Sequence, residues 1–124
     1  MNKKKVLVVD DDENMNTVLM EKLNFSGFEA QGAFDGEEGL KRALEWHPDI
    51  ILLDLMLPKM TGMDVLSKLR EDAWGKGVKV IMLTAVENAK LVSAAMERGA
   101  FTYLVKIEHS LDDIVKKITD ELAK

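Results

Sequence analysis

Four short apolar runs punctuate the chain: Val6-Leu7-Val8-Val9, Ile50-Ile51-Leu52-Leu53, Val78 to Leu83, and Thr102 to Val105. Each is rich in branched side chains and bounded by polar residues, the signature of a buried strand. A fifth, more polar segment, Phe28 to Phe34, predicts a strand at the sheet edge. Helical spacing fills the gaps. Met15, Val18, Leu19 and Leu23 mark a helix from Asn14 to Ser26, with Asp12 as its N-cap and Gly27 as its stop. Asp35-Gly36-Glu37-Glu38 opens a second helix through Leu40, Ala43 and Leu44. That helix ends near His47-Pro48, because the residue before proline leaves helical geometry. After a loop over Leu57 to Gly62, a third helix carries Met63, Leu66 and Leu69. Asn88 to Arg98 predicts a fourth, stopped by Gly99. Ser110-Leu111-Asp112-Asp113 opens a fifth as a capping box, with Leu111, Ile114, Val115, Ile118 and Leu122 as its apolar face.

Strands alternating with helices of this length imply right-handed crossovers and a parallel sheet covered on both faces. The 124 residues suffice for one domain with a real core, and no break in composition marks a second, so 1–124 is read as a single unit. At 47% hydrophobic and 31% charged, the composition excludes disorder. A net charge of −5, with no basic stripe beyond Lys3-Lys4-Lys5, argues against direct nucleic-acid binding. The absence of cysteine removes thiolate and disulfide chemistry and fits a reducing compartment. No apolar run is long enough to span a membrane, and no secretory apolar core follows the opening lysines. A cytoplasmic location is expected. His47 and His109 are read as surface or capping residues, and Trp74, beside Gly75 and Gly77, as a loop anchor.

The chemistry concentrates at strand ends. Asp10 and Asp11 close the first apolar run, Asp54 the second, Thr84 the third, and Lys106 follows the last. In open parallel sheets, ligands bind at those carboxyl ends. Carboxylates packed there repel one another and need a cation or a shared proton. Hard oxygens at an open edge suit Mg2+, which keeps waters and shares a phosphate oxygen. Acids, a hydroxyl and an amine around such a cation make a phosphoryl-transfer site. An ionised aspartate can attack phosphorus and form an acyl phosphate. Asp54, alone at its strand end, is the candidate acceptor; Asp10 and Asp11 are paired as metal holders, and the Met56 carbonyl is placed to serve as a neutral ligand.

The stretches Val8-Val9-Asp10-Asp11-Asp12, Leu53-Asp54-Leu55-Met56-Leu57-Pro58 with Gly62, Leu83-Thr84-Ala85, and Gly99-Ala100 with Tyr103-Leu104 and Lys106 resemble the receiver domain of two-component response regulators. The resemblance runs along nearly the whole chain. It implies a flavodoxin-like five-stranded sheet ordered 2-1-3-4-5 with five helices on two faces, the order named for the chemotaxis receiver. It also implies phosphorylation of Asp54 by a sensor histidine kinase or phosphotransfer protein, without enzymatic activity on other substrates. Asp11 would bind Mg2+ directly and Asp10 mainly through water, while Thr84 and Lys106 would contact the phosphoryl group. Tyr103 would be the aromatic whose rotation reports phosphorylation. Thr84 is then drawn toward the new oxygens, and Tyr103 turns inward. The surface of the fourth helix, fifth strand and fifth helix shifts for an output protein or domain, with Val92, Met96, Val105 and Glu108 as its candidates. The chain would act as a monomer or as a phosphorylation-dependent dimer.

One departure stands out: Ile107 follows Lys106 where the family usually carries a proline with a cis bond. A cis non-proline bond costs on the order of 3 kcal/mol, so a trans bond or a mixture is expected. Apolar Met56 and Val86 beside the site predict slow autodephosphorylation. Two other functions compete. The Asp-x-Asp spacing of Asp10 and Asp12 resembles an aspartyl-nucleophile phosphatase, with Asp10 as nucleophile. A receiver that only binds a partner is the second.

Overall fold

The computed structural model describes residues 3–85, 89–100, 102–105 and 110–124; at 102, 103 and 105 it describes the backbone alone. Its elements are β1 (Lys5–Val9), α1 (Glu13–Phe25), β2 (Glu29–Ala33), α2 (Gly36–Trp46), β3 (Ile50–Leu53), α3 (Gly62–Glu71), β4 (Lys79–Thr84), α4 (Ala89–Glu97), β5 (Thr102–Val105) and α5 (Leu111–Leu122). All strand pairs are parallel, and the sheet runs β2-β1-β3-β4-β5. The polar strand β2 lies at its edge, as its composition predicts.

Both faces of the sheet are covered, which is why β1, β3 and β4 read as unbroken apolar runs and not as alternating ones. Val6, Val8, Ile50, Leu52, Ile81 and Leu83 point to one side, where they pack with Leu19 and Leu23 of α1 and Ile114 and Ile118 of α5. Leu7, Val9, Ile51, Leu53, Val80 and Met82 point to the other, against Ala43 of α2, Val65, Leu66 and Leu69 of α3, and Ala95 of α4. Each such fully enclosed aliphatic side chain contributes roughly 1.5–3 kcal/mol relative to exposure.

Side-chain caps set the helix starts. Asp12, Asp35, Thr61 and Ser110 each accept a backbone N–H from the first turn, and Ser110 with Asp113 closes the expected capping box. His47 ends α2 in the left-handed region (φ 54°). Its ring stacks on Trp74 at 4.3 Å, anchoring the loop after α3. Two expectations about helix faces need correction. Val18, one of the apolar residues whose spacing marks α1, is 42% exposed, and the inward face is shared instead by Asn16, which is fully buried. In α3, Val65 is buried beside Leu66 and Leu69, while Met63 is only half-buried.

Arg70, at the end of α3, ties distant segments together. Its Nε donates to the Arg98 carbonyl at 2.8 Å and its Nη2 to that of Gly99 at 2.8 Å. Its Nη1 donates to the carbonyls of Gly75 and Val78 at 2.6 and 2.9 Å. One guanidinium thus joins the C-terminal end of α4 to the segment that feeds β4. Burial lowers its pKa from the ordinary value.

Candidate functional site

The pairing register brings the acids together. Val9 lies opposite Leu53 in β1–β3 pairing, so Asp10 and Asp54 leave their strands side by side. The Asp54 N–H donates to the Val9 carbonyl at 2.9 Å, closing that corner. A carboxylate oxygen from each of Asp10, Asp11 and Asp54 lies within 4.8 Å of the others. Asp10 and Asp54 are buried, at 2% and 5% exposure, and Asp11 is exposed. The cluster therefore opens to solvent on Asp11's side and rests on protein beneath.

Backbone N–H groups orient two of the acids. Asp10 Oδ1 accepts from Asp12 N–H at 3.0 Å, and Asp54 Oδ1 accepts from Met56 N–H at 3.3 Å. The loop after Asp54 folds tightly back. Gly62 N–H donates to the Leu55 carbonyl at 2.9 Å, and a Cβ at Gly62 would stand 2.1 Å from the Asp54 carbonyl oxygen. Only a glycine lets the start of α3 approach the Asp54 backbone so closely. Met56 is 62% exposed at the mouth of the site.

Thr84 is the last residue of β4, one position further along than the expected strand end at Leu83, and is fully buried. Its register partner is Val105, which brings the end of β5 alongside. Tyr103 occupies a β5 position opposite Met82. Lys106, Ile107 and the bond between them, together with Val86, Glu108 and His109, lie outside the described residues.

The three acids suit Mg2+. Its bonds to hard oxygens are 2.0–2.1 Å and octahedral, so its ligands stand roughly 3–4 Å apart. Three carboxylate oxygens within 4.8 Å of one another, on a side open to water, meet that with a small closing movement. Soft or nitrogen donors play no part in this group.

One residue of this region escaped the sequence reading. Asn16 donates from Nδ2 to the Asp10 and Ala33 carbonyls, both at 2.9 Å, and lies 3.3 Å from that of Val8. The signal was present: Asn16 precedes Leu19 by three and Leu23 by seven, so it shares their inward stripe.

A profile described as the response regulator receiver domain matches residues 6–119. The chain is 42% identical over 103 residues to the alkaline phosphatase synthesis transcriptional regulatory protein PhoP of Bacillus subtilis (strain 168), covering 83% of this chain and 42% of that protein. It thus spans less than half the length of that relative. A CheY-like response regulator receiver domain protein from Methanospirillum hungatei JF-1 superposes with a TM-score of 0.92 at 29% identity, covering 98% of this chain and 95% of the other. The CheX–CheY–BeF3–Mg2+ complex from Borrelia burgdorferi contains a chain that matches with a TM-score of 0.88 at 30% identity, covering 98% and 90%.

Proposed function

The chain belongs to the family of response regulator receiver domains, phosphorylation-dependent switches of two-component systems, and on that premise we propose that Asp54 is its phospho-acceptor. The observation that carries this reading is the convergence of Asp10, Asp11 and Asp54 at one sheet edge. In this reading residues 1–124 form one receiver unit that acts as a signalling switch and turns over no substrate beyond its own acyl phosphate.

Asp10, Asp11, Asp54 and the Met56 carbonyl would hold Mg2+, which when bound supplies positive charge to the oxygens of the transferring group. An Asp54 carboxylate oxygen attacks phosphorus of a phosphohistidine. The O–P bond forms as the P–N bond breaks, and the electron pair returns to the imidazole nitrogen. The Asp12 N–H on Asp10 and the Met56 N–H on Asp54 keep two acids aimed while this happens. Thr84 donates its hydroxyl to a phosphoryl oxygen, and Lys106 adds positive charge. Tyr103 turns inward as Thr84 moves, and the surface of α4, β5 and α5 shifts toward an output partner. Met56 presents no polar side-chain group to attacking water, so the acyl phosphate is lost slowly.

The partners in this reading are a sensor histidine kinase or phosphotransfer protein on the input side and an output protein or domain on the other, in the cytoplasm. Among the described residues, no helix is long and apolar enough to cross a membrane.

Intact-mass and peptide mass spectrometry after treatment with acetyl phosphate and Mg2+ tests the assignment. One phosphoryl group on the Asp54 peptide is expected, decaying slowly on dilution and absent from Asp54→Asn. Label on Asp10 would favour the phosphatase reading. No label under any phosphodonor would leave only a partner-binding role.

A further inference from the structure

Asn16 holds a position on α1 that the spacing of its neighbours reserves for an apolar side chain, and it is fully buried there. Its Nδ2 group reaches the Asp10 and Ala33 carbonyls at 2.9 Å each. The Asp10 N–H donates to the same Ala33 oxygen at 3.1 Å. Both main-chain polar groups of Asp10 are therefore tied down, the N–H by β2 and the carbonyl by α1. A peptide unit is planar, so fixing the Asp10 carbonyl also fixes the nitrogen and Cα of Asp11. Two of the three clustered acids thus spring from a stretch that one amide orients.

The amide is held in turn. Asn16 Oδ1 has no hydrogen-bond partner among the described residues. It rests against Gly32 of the edge strand, where a Cβ would stand 2.5 Å from Oδ1 and 2.8 Å from the Met20 sulfur. The bare glycine makes room for the amide, and that room is available to no larger residue without displacement.

We propose that Asn16 is a positioning residue for divalent-cation binding at Asp10, Asp11 and Asp54, and that Gly32 maintains its pose. The inference rests on the metal reading given above. Three carboxylates at this spacing repel one another and push the turn after β1 outward. An anchored Asp10 carbonyl resists that spreading, so the oxygens stay gathered before a cation arrives. Groups that orient metal ligands in this way typically account for 10–100-fold in affinity.

Calorimetric titration of Mg2+ into the full chain tests it, comparing the native protein with Asn16→Ala, Gly32→Ala and Leu23→Ala. Leu23 is as deeply buried on the same helix, seven residues and so about 10 Å further along it from Asn16, and its variant reports the effect of lost stability alone. Urea midpoints recorded alongside establish how far each variant is destabilised. The expected result is a Kd for Mg2+ raised about 10-fold or more in Asn16→Ala, raised in the same direction in Gly32→Ala, and unchanged in Leu23→Ala. A native Kd in Asn16→Ala would overturn the proposal. If Asn16→Ala does not fold, Gly32→Ala decides, because it keeps the amide and only crowds it; a native Kd there overturns the proposal equally. A native chain that takes up no Mg2+ would bring down the metal reading itself, a failure visible without any variant.

Discussion

Glu121 shows how one side chain couples stability to acidity. It sits at the end of α5 with a side chain only 3% exposed, yet its Oε1 lies 3.1 Å from Lys124 Nζ and 3.3 Å from Lys117 Nζ. Burial pushes its carboxyl up, and the two lysines more than offset this, so its pKa ends below the ordinary 4.5. A lowered folded-state value means the group stabilises the fold fully above the unfolded pKa. That contribution is lost as the pH falls through the folded value. Glu121→Gln should therefore be less stable than the native chain at neutral pH, by a margin that stays level down to about pH 4.5 and shrinks below it. Urea denaturation across a pH series measures this; a margin that widens on acidification would contradict it. The site acids were readable from sequence because each terminates an apolar run, where a charge has one obvious place to go. Asn16 was not, because a single amide in a helix ordinarily faces water, and Val18 offered a plausible apolar substitute for the inward stripe. Its burial depends on carbonyls of β1 and β2 that only the folded sheet assembles.

At the scale of elements, strands and helices followed from local chemistry wherever the chemistry was local. Ile50–Leu53 is bounded by Asp49 and Asp54, and both limits hold. Asp12 and Ser110 cap the helices they were expected to cap. The start of α3 was less legible, since Thr61 reads as part of a turn-rich loop until Gly62 is seen packed on the Asp54 carbonyl. Nothing local announces the role of Arg70, whose partners lie up to 29 residues away. Arg70→Ala should remove about 2 kcal/mol of stability by stripping a charged donor from several carbonyls. Arg70→Lys should recover only part of it, since one ammonium cannot reproduce a fork reaching four oxygens. Denaturant midpoints of the two variants provide the check, and equal stability of Arg70→Lys and the native chain would contradict the role assigned to the fork.

For the whole molecule, the clustered acids link cation binding to folding. A ligand that binds only the native state stabilises it by RT ln(1 + [L]/Kd), about 2.7 kcal/mol when Mg2+ is at 100 times its Kd. For a domain of this size the Tm should rise by roughly 10 °C. Asp11→Asn should lose most of that rise while keeping the fold, because Asp11 is exposed and carries no core contact. Differential scanning calorimetry with and without Mg2+ measures both, and a full rise in Asp11→Asn would remove Asp11 from the ligand set.

The Arg70 fork fastens the C-terminal extremity of α4, through the carbonyls of Arg98 and Gly99. The opposite extremity, at Ala89, lies toward the end of β4 where Thr84 stands. Because the same guanidinium also holds the Gly75 and Val78 carbonyls, the fastened extremity shares one clasp with the lead-in to β4, and loss of the single side chain would unfasten both together.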